Sequence, residues 1–225
     1  MKVIIIGGVA GGASAAAKLR RLDEKAEIIL LERGEYISFA NCGLPYHVGK
    51  VIKQRDNLLV MTPEKFRART NIDVRIRNEV IEIDRERKVL KIRRTDSGEI
   101  YEENYDKLIL STGSSPVRPP IPGANDRDVM QLWTIPDMDG IISRLNTGIK
   151  SAVVVGGGFI GLEVAENLRE RGLDVHLVEM LPQVLPPLDA EMAQPLALEL
   201  ERHGIHLHLE RRVEAIERIS DAEVS

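Results

Sequence analysis

One pattern occurs twice in the chain: an apolar strand, a glycine-rich turn, a helix, and a second strand that ends at a glutamate. The first copy occupies residues 2–32 and the second occupies residues 151–179. Each copy reads as a βαβ unit, because strand-length apolar runs flank a helix-length segment. The repeat therefore predicts an α/β fold with two Rossmann-like, three-layer (ββα) dinucleotide-binding modules.

The second copy carries the complete GxGxxG motif at Gly156, Gly158 and Gly161. The first glycine permits the tight turn, the second lets a pyrophosphate approach the backbone, and the third lets the helix pack on the strand. Glu179, at the end of the next strand, is expected to bind a ribose hydroxyl. Its charge would repel the extra phosphate of NADP, and the next two residues supply no cation, so NAD is favoured. A tight turn without a ligand is the alternative.

The first copy departs from the motif, because Val9 occupies its middle position. A side chain is tolerated there only if it points away from the dinucleotide. Glu32 ends the following strand, as Glu179 does in the second copy. Two such modules suggest two nucleotides, and a flavin facing a nicotinamide is the usual reason to combine them. The chain is therefore predicted to transfer hydride.

The segments between and after the modules suggest two domains. DVRIR, EVIEID, KVLKIRR and EIYEEN, within residues 73–104, alternate apolar and polar residues and predict an antiparallel β-meander on the first module. Four prolines between Gly113 and Gly123 interrupt regular structure and place the domain boundary near Pro116. The expected domains are residues 1–115 and 116–225, the second incomplete at its C-terminus.

Composition argues against several classes of partner. A net charge of -4 offers no basic excess for nucleic acid. No segment approaches the roughly 20 apolar residues of a membrane span, and the opening apolar run is too short for a signal peptide, so a cytoplasmic location is expected. His206 and His208 alternate on one predicted strand, but no third ligand is evident nearby, and no metal site is expected.

The stretch SFANCGLPY, residues 38–46, contains the only cysteine of the chain, Cys42. A lone cysteine cannot form an internal disulfide, so a redox role requires a sulfur or oxygen from outside the chain. Gly43 permits close approach of a flat cofactor, and Pro45 suits the first turn of a helix. Backbone amides at a helix N-terminus favour the reactive thiolate. A buried structural cysteine is the alternative interpretation.

With these features together, the chain resembles the flavin-dependent pyridine nucleotide-disulfide oxidoreductases over its full length. The resemblance rests on both glycine turns, on LILSTGSSP between the modules and on GGGFIGLE in the second. SFANCGLPY is similar to the single-cysteine branch, which includes coenzyme A-disulfide reductases and NADH-dependent persulfide reductases. NADH oxidases and peroxidases of this branch tend to carry serine in place of Asn41 and lack the Leu-Pro-Tyr that follows. The match therefore favours coenzyme A.

The resemblance implies FAD on the first module, NAD(P)H on the second, with NADH favoured, and coenzyme A as a substrate or bound thiol. Cys42 is implied as the redox-active residue. The implied FAD contacts are Gly7, Gly8, Ala10, Gly11, Gly12, Glu32, Arg33, Asn41, Val80, Ser111, Thr112 and Gly113. The implied nicotinamide nucleotide contacts are Gly156, Gly158, Phe159, Ile160, Gly161, Glu163 and Glu179. The implied coenzyme A contacts are Ser14, Lys18, Arg21, Ser38 and Asn41.

The implied reaction passes hydride from NADH to the flavin, and then two electrons to a disulfide between Cys42 and coenzyme A or a related small thiol. Tyr46, His47 and residues outside this chain are all candidates to protonate the leaving thiolate. Two alternatives stay open: an oxidase or peroxidase in which Cys42 cycles through sulfenic acid, and an inactive nucleotide-binding fragment. The expected partners are a small-molecule thiol or disulfide and, through regions absent here, a second copy in a homodimer.

Overall fold

The computed structural model describes residues 1–220 together with residues 223 and 224. The strands are β1 (Lys2–Ile6), β2 (Glu27–Leu31), β3 (Asp73–Arg75), β4 (Asn78–Asp84), β5 (Val89–Arg94), β6 (Ile100–Asn104), β7 (Lys107–Leu110), β8 (Ser151–Val155), β9 (Asp174–Val178), β10 (Ile205–His208), β11 (Arg218–Ser220) and β12 (Glu223–Val224). The helices are α1 (Ala10–Leu22), α2 (Leu44–Val48), α3 (Pro63–Thr70), α4 (Ile135–Leu145), α5 (Phe159–Glu170) and α6 (Ala190–Arg202). Short 3₁₀ turns lie at Asn41–Gly43 and Arg55–Leu58.

The chain divides into two compact units. The first comprises residues 1–40 and 56–114, and the second comprises residues 41–55 and those from 115 onward. The segment that contains Cys42 therefore groups with the second unit, although in sequence it interrupts the first. A domain boundary between residues 115 and 116 stays a prediction.

The first unit is built on a parallel sheet with the strand order β3-β2-β1-β7. The helix α1 covers one face of this sheet, and β4, β5 and β6 form an antiparallel meander whose apolar residues pack on the other. The cluster on the α1 side includes Val3, Ile5, Ala13, Ala16, Ile28 and Leu30. The cluster on the meander side consists of Ile4, Ile29, Leu31, Leu90 and Ile92. Burial of both faces explains why β1 and β2 are continuous apolar runs.

One strand predicted for the meander belongs elsewhere. DVRIR forms β3, which pairs in parallel with β2 at the edge of the main sheet, so the prediction for this segment was wrong. Antiparallel pairing joins only β4 to β5 and β5 to β6 among these segments. Val74 of β3 is fully buried in the cluster beneath α1. Alternation of apolar and polar residues is the same for an edge strand and a meander strand, so periodicity alone did not distinguish them.

The second unit is built on a parallel sheet with the order β10-β9-β8. Val175 and Leu177 of β9 are fully buried on the face that α5 covers, where Ala165 is fully buried as well. The opposite face is exposed or half-buried at each described position: Ser151, Val153, Val155, Asp174, His176, Val178, His206 and His208. In the described residues the second sheet therefore differs from the first, whose residues are buried on both faces.

The helices begin in two ways. Thr62 caps α3 by accepting a hydrogen bond from Lys65 N at 3.3 Å, and Thr134 caps α4 in a reciprocal capping box with Asp137. In contrast, α1 follows Val9 and α5 follows Gly158, and neither residue makes a side-chain cap. None of the described helices is long and apolar enough to cross a membrane.

Candidate functional site

The glycine turns of the two units have the same construction. Gly7 and Gly156 have φ angles of +99° and +106°, which residues with a side chain rarely adopt. A Cβ atom at Gly12 would overlap the carbonyl oxygen of Gly7, and one at Gly161 would overlap that of Gly156. The last glycine of each turn is therefore needed for the helix to lie close to the strand end.

The middle position differs between the two turns. A Cβ atom at Gly158 would meet no atom within 4 Å, so the backbone there is open to a ligand. Val9 is half-buried at the equivalent place in the first turn and immediately precedes α1. Gly8, next to it, is crowded as well, because a Cβ atom there would lie 2.7 Å from Ile37 Cγ2. Packing in the first turn therefore requires glycine at position 8. The motif would place its middle glycine one residue later, where Val9 stands.

A buried glutamate supports each turn. Glu32 Oε2 accepts a hydrogen bond from Gly8 N at 2.7 Å, and Glu32 Oε1 accepts one from Gly34 N at 2.7 Å. Glu179 repeats this arrangement with Gly157 N at 2.6 Å and with the amide two residues after the glutamate at 2.8 Å. The two residues are 9% and 7% exposed. A carboxylate has about four acceptor sites, so each glutamate retains capacity for a ribose hydroxyl.

Each turn fits the phosphates and ribose of a dinucleotide. The first amides of α1 and α5 receive no side-chain cap, and neither first turn contains an acidic residue. Such helix N-termini attract phosphate through their backbone N–H groups and positive dipole end. Around the first turn the structure groups the predicted residues Gly7, Gly8, Ala10, Gly11, Gly12 and Glu32. Around the second it groups Gly156, Gly158, Phe159, Ile160, Gly161 and Glu179.

Ser38 and Ser111 lie beside the first turn. Ser38 N donates to Gly8 O at 3.0 Å, and Ser111 N donates to Ile6 O at 2.8 Å. A Cβ atom at Gly7 would overlap Ser111 O, so the residue after β7 approaches the turn closely. FAD binding by Ser111 and coenzyme A binding by Ser38 stay predictions.

The remaining residues predicted to bind FAD are less closely associated with that turn. Thr112 and Gly113 continue from β7 as exposed backbone, and Arg33 follows Glu32 on the surface. Val80, on β4, is half-buried and packs against the cluster between the sheet and the meander. Its backbone pairs with Ile92 of β5, so the contacts described for Val80 are those of a packed strand residue.

Cys42 is exposed in the 3₁₀ turn that leads directly into α2. Gly43 is the N-cap of α2, and Pro45 lies in its first turn, as predicted. The thiol therefore lies one residue before the helix cap rather than within the helix. Its exposure contradicts the alternative interpretation of a buried structural cysteine.

The segment that carries Cys42 is packed against α5. Arg171 Nη1 donates to Val48 O at 3.1 Å, at the end of α2. Gly49 lies directly against the side chain of Asn167, which is 1% exposed and donates to Glu163 O at 2.8 Å. Because a Cβ atom at Gly49 would overlap Asn167 Oδ1, glycine is needed for this contact.

A second attachment joins the end of the segment to α4. Arg55 Nε lies 2.9 Å from Asp139 Oδ1, and Arg55 Nη2 lies 2.8 Å from Asp139 Oδ2. This bidentate pair has the geometry in which arginine binds carboxylates most specifically. The start of α4 was not predicted, although Thr134 followed by Pro136 and Asp137 is a helix-start signal.

Tyr46 shares an electrostatic environment with Cys42. The charge of Glu163 raises the pKa of the Tyr46 phenol above 10.0, and burial, Glu166 and Cys42 add to the effect. The phenol is thus held in its protonated, proton-donating form. His47 Nδ1 lies 2.6 Å from Ile52 O, which occupies that nitrogen. The shift keeps the phenol protonated but makes it a weaker acid, so the proton-donor role of either residue stays a prediction.

Glu166 was missed by sequence reasoning. It lies three residues after Glu163, which places both carboxylates on the side of α5 that contacts α2. Its charge acts on Tyr46 in the same direction as that of Glu163. The helical spacing was visible in the sequence, but the partner helix was not.

The predicted coenzyme A contacts fall in three places. Ser14, Lys18 and Arg21 are exposed and follow one another along a single side of α1. Ser38 is half-buried near the first glycine turn, and Asn41 is exposed next to Cys42. Arg20, between the two basic residues, donates instead to backbone carbonyl oxygens, including that of Thr70 at 2.9 Å. Coenzyme A binding by these residues stays a prediction.

Strand pairing brings further possible metal ligands to His206, although no metal site was expected because the sequence showed no third ligand near His206 and His208. The parallel register pairs His206 with His176, and Asp174 lies next to both. Two strands far apart in sequence therefore supply the side chains that one strand lacked.

Comparison with known proteins identifies the group to which these features belong. The family model of the pyridine nucleotide-disulphide oxidoreductases matches residues 1–225. A curated relative, the coenzyme A disulfide reductase of Staphylococcus aureus strain JH9, is 39% identical over 216 residues, or 96% of this chain and 49% of the relative. The chain thus spans about half the length of the curated relatives that it matches.

Solved structures share the fold over the whole chain. Reduced CoADR-RHD of Bacillus anthracis matches with a TM-score of 0.94 and 47% identity, over 100% of this chain and 42% of that one. A NAD-dependent persulfide reductase from A. fulgidus matches with a TM-score of 0.95 and 40% identity, over 100% of this chain and 42% of that one. The water-forming NADH oxidase from Lactobacillus brevis, bound to NADH, matches with a TM-score of 0.93 and 27% identity, over 100% of this chain and 49% of that one. The predicted α/β fold is thereby confirmed.

Proposed function

Because the chain belongs to the pyridine nucleotide-disulphide oxidoreductase family, we propose that it serves a flavin-dependent NAD(P)H oxidoreductase that reduces coenzyme A disulfide, persulfide or polysulfide through Cys42. One observation carries the proposal: the only cysteine is exposed on a segment packed against α5, the helix that begins at the second glycine turn. The names of the relatives support the choice of substrate.

The two glycine turns are the proposed nucleotide sites. The first would hold FAD, with the amides of α1 at the pyrophosphate and Glu32 at the ribose. The second would hold NADH, with the amides of α5 and Glu179 in the same roles. When bound, these cofactors supply hydride transfer and the electron pair for disulfide reduction. The buried negative charge of Glu179 is the reason that NADH is favoured over NADPH.

Cys42 reacts with the substrate as a thiolate, by thiol–disulfide exchange. Its sulfur attacks one sulfur of the disulfide, the S–S bond breaks, and one thiol leaves while the other half remains in a mixed disulfide with Cys42. An electron pair then breaks that bond, so that Cys42 returns to the thiolate and the second thiol is released with a proton. Each turnover consumes one NADH and one proton per disulfide. Tyr46, held in its protonated form, supplies a proton to a departing thiolate.

Binding of the rest of the substrate is assigned to polar residues on two segments. Asn41 and Ser38 flank the thiol in sequence, and Ser14, Lys18 and Arg21 form the exposed side of α1. Two cations one turn apart suit the phosphates of coenzyme A. The whole protein is also proposed to act as a homodimer.

The test compares the wild-type chain with Cys42→Ser. The wild type is expected to retain flavin on purification, to carry a coenzyme A adduct on Cys42 by mass spectrometry, and to oxidise NADH anaerobically when coenzyme A disulfide is added. Cys42→Ser should keep the flavin and lose both the adduct and turnover. Ser143→Ala, an exposed change on α4, is the matched control and should behave as wild type.

Three results would contradict the proposal. Turnover that survives in Cys42→Ser removes the cysteine from the reaction. NADH consumption that requires oxygen or peroxide and ignores disulfides indicates an oxidase or peroxidase. Protein without flavin, even after incubation with added FAD, indicates that the chain does not function as a flavoenzyme by itself.

A further inference from the structure

A cluster of three histidines and one aspartate lies on the face of the second sheet opposite α5. Asp174 and His176 belong to β9, and His206 and His208 belong to β10. All four residues are exposed or half-buried, and none belongs to the proposed nucleotide or thiol sites. We infer that Asp174, His176 and His206 form a binding site for a divalent transition-metal ion of the zinc type.

The strand register creates the cluster. The parallel pairing places His206 directly beside His176, and their rings stack with centroids 4.6 Å apart. Residues two apart on a strand point to the same face, so Asp174 and His176 extend from β9 on the side where His206 lies. Three side chains with metal-binding atoms therefore project from two adjacent strands.

The distances suit one shared ion. His206 Nε2 lies 3.0 Å from Asp174 Oδ1, and His176 Nε2 lies 3.6 Å from Asp174 Oδ2. Suitable atoms of all three residues fall within 4.8 Å of one another. Zinc binds histidine nitrogen and carboxylate oxygen at about 2.0–2.2 Å, which separates neighbouring ligand atoms by roughly 3 to 4 Å. A bound ion would thus replace the close contact between His206 and Asp174.

His208 orients one of the ligands. His176 Nδ1 lies 2.9 Å from His208 Nε2, and the two rings stack with centroids 5.2 Å apart. With His176 Nδ1 as the donor, the lone pair of His176 Nε2 faces the proposed ion. Metal-binding histidines commonly make such a bond through their other nitrogen, which fixes the tautomer and ring orientation.

The chemistry of the donors selects the class of ion. Two imidazoles and one carboxylate suit zinc and its first-row neighbours, whereas calcium and magnesium prefer sites built entirely from oxygen. Three protein ligands leave one coordination position for water or another small ligand. The proposed site therefore has an open coordination position, as catalytic zinc sites do.

The experiment measures Zn²⁺ binding by calorimetry to the chain after treatment with a chelator. All samples carry Cys42→Ser, because an exposed thiol would also bind zinc. This background is expected to bind one equivalent of Zn²⁺. Adding His206→Ala or Asp174→Asn should abolish that binding, and adding His208→Ala should weaken it about 10- to 100-fold. Co²⁺ in place of Zn²⁺ should give visible absorption bands that disappear in the same variants.

The control is His203→Ala, an exposed histidine next to α6 that lies outside the cluster. This variant should bind Zn²⁺ as the background does. His206→Gln keeps a hydrogen-bonding group beside Asp174 and guards against a folding defect, and circular dichroism should show each variant folded. The inference is overturned if the background binds no Zn²⁺, or if folded His206→Gln and Asp174→Asn bind it with unchanged affinity.

Discussion

Glu179 accepts a 2.6 Å hydrogen bond from the backbone amide of Gly157, so the carboxylate that is expected to bind a ribose also holds the glycine turn in place. Glu32 holds Gly8 in the same way at 2.7 Å. The binding residue of each module thus has a structural role that does not require a ligand. Substitution of either glutamate should affect stability as well as nucleotide binding.

Replacing Glu179 by glutamine should destabilise the second unit by about 1–3 kcal/mol, because the amide keeps a single acceptor oxygen for two N–H donors, one of them buried. Urea unfolding measures this loss, and titration with NADH should show weaker binding while flavin retention is unchanged. Glu32→Gln should instead weaken flavin retention. Glu170→Gln, an exposed change on α5, serves as the control. Wild-type stability and NADH affinity in Glu179→Gln would contradict the dual role.

Replacing Glu163 by glutamine should lower the pKa of Tyr46 toward 10.0, since the charge of Glu163 is the largest cause of its elevation. A raised pKa means that the protonated phenol is favoured by folding, and this contribution is lost as the pH rises above 10.0. The phenolate absorbance of Tyr46 is isolated by subtracting the titration curve of Tyr46→Phe. The curve of Glu163→Gln should move to lower pH, whereas that of Glu170→Gln should not. An unshifted curve would exclude Glu163 as the cause.

Replacing Gly49 by alanine should destabilise the second unit, because the new Cβ atom would overlap the buried side chain of Asn167. Overpacking of this kind typically costs about 1–3 kcal/mol. The double variant Gly49→Ala/Asn167→Ala should recover part of that loss, since it removes the overlapping atoms. Unfolding in urea measures all three proteins. If Gly49→Ala is as stable as the wild type, the packing of α2 on α5 is looser than the structure indicates.

Replacing Glu103 by glutamine should destabilise the first unit at neutral pH and have less effect in acid. Burial would raise the pKa of Glu103, but hydrogen bonds to Lys2 at 2.5 Å and Arg75 at 2.6 Å outweigh it and lower the pKa below 4.5. A depressed carboxyl pKa stabilises the fold above the unfolded value, and this contribution is lost as the pH falls through the folded value.

The expected difference in unfolding free energy for Glu103→Gln is about 1.5–3 kcal/mol near neutral pH, and it should shrink as the pH falls below 4.5. Denaturant curves at several pH values measure it. Glu102→Gln, one residue earlier on β6 and exposed, is the control. A difference that does not vary with pH would mean that the charge of Glu103 contributes nothing.

The two βαβ units were determined by local sequence. Each depends on contacts within about 30 residues: an apolar strand, a turn that only glycine accommodates at Gly7 or Gly156, and a glutamate at the end of the next strand. Backbone conformation and short-range packing limit the residues allowed at these positions, so the pattern appears in the sequence itself. The placement of Pro45 in the first turn of α2 followed from the same kind of local signal.

Pairing between distant segments was decided only by tertiary structure. The register of β9 and β10 brings His176 and Asp174 to His206, the packing of α2 on α5 brings Tyr46 to Glu163, and the edge position of β3 removes DVRIR from the meander. A strand's periodicity states which residues share a face, but it does not state which other strand lies beside it. That choice depends on the burial of whole faces and the hydrogen bonding of whole strands, which no short stretch of sequence contains.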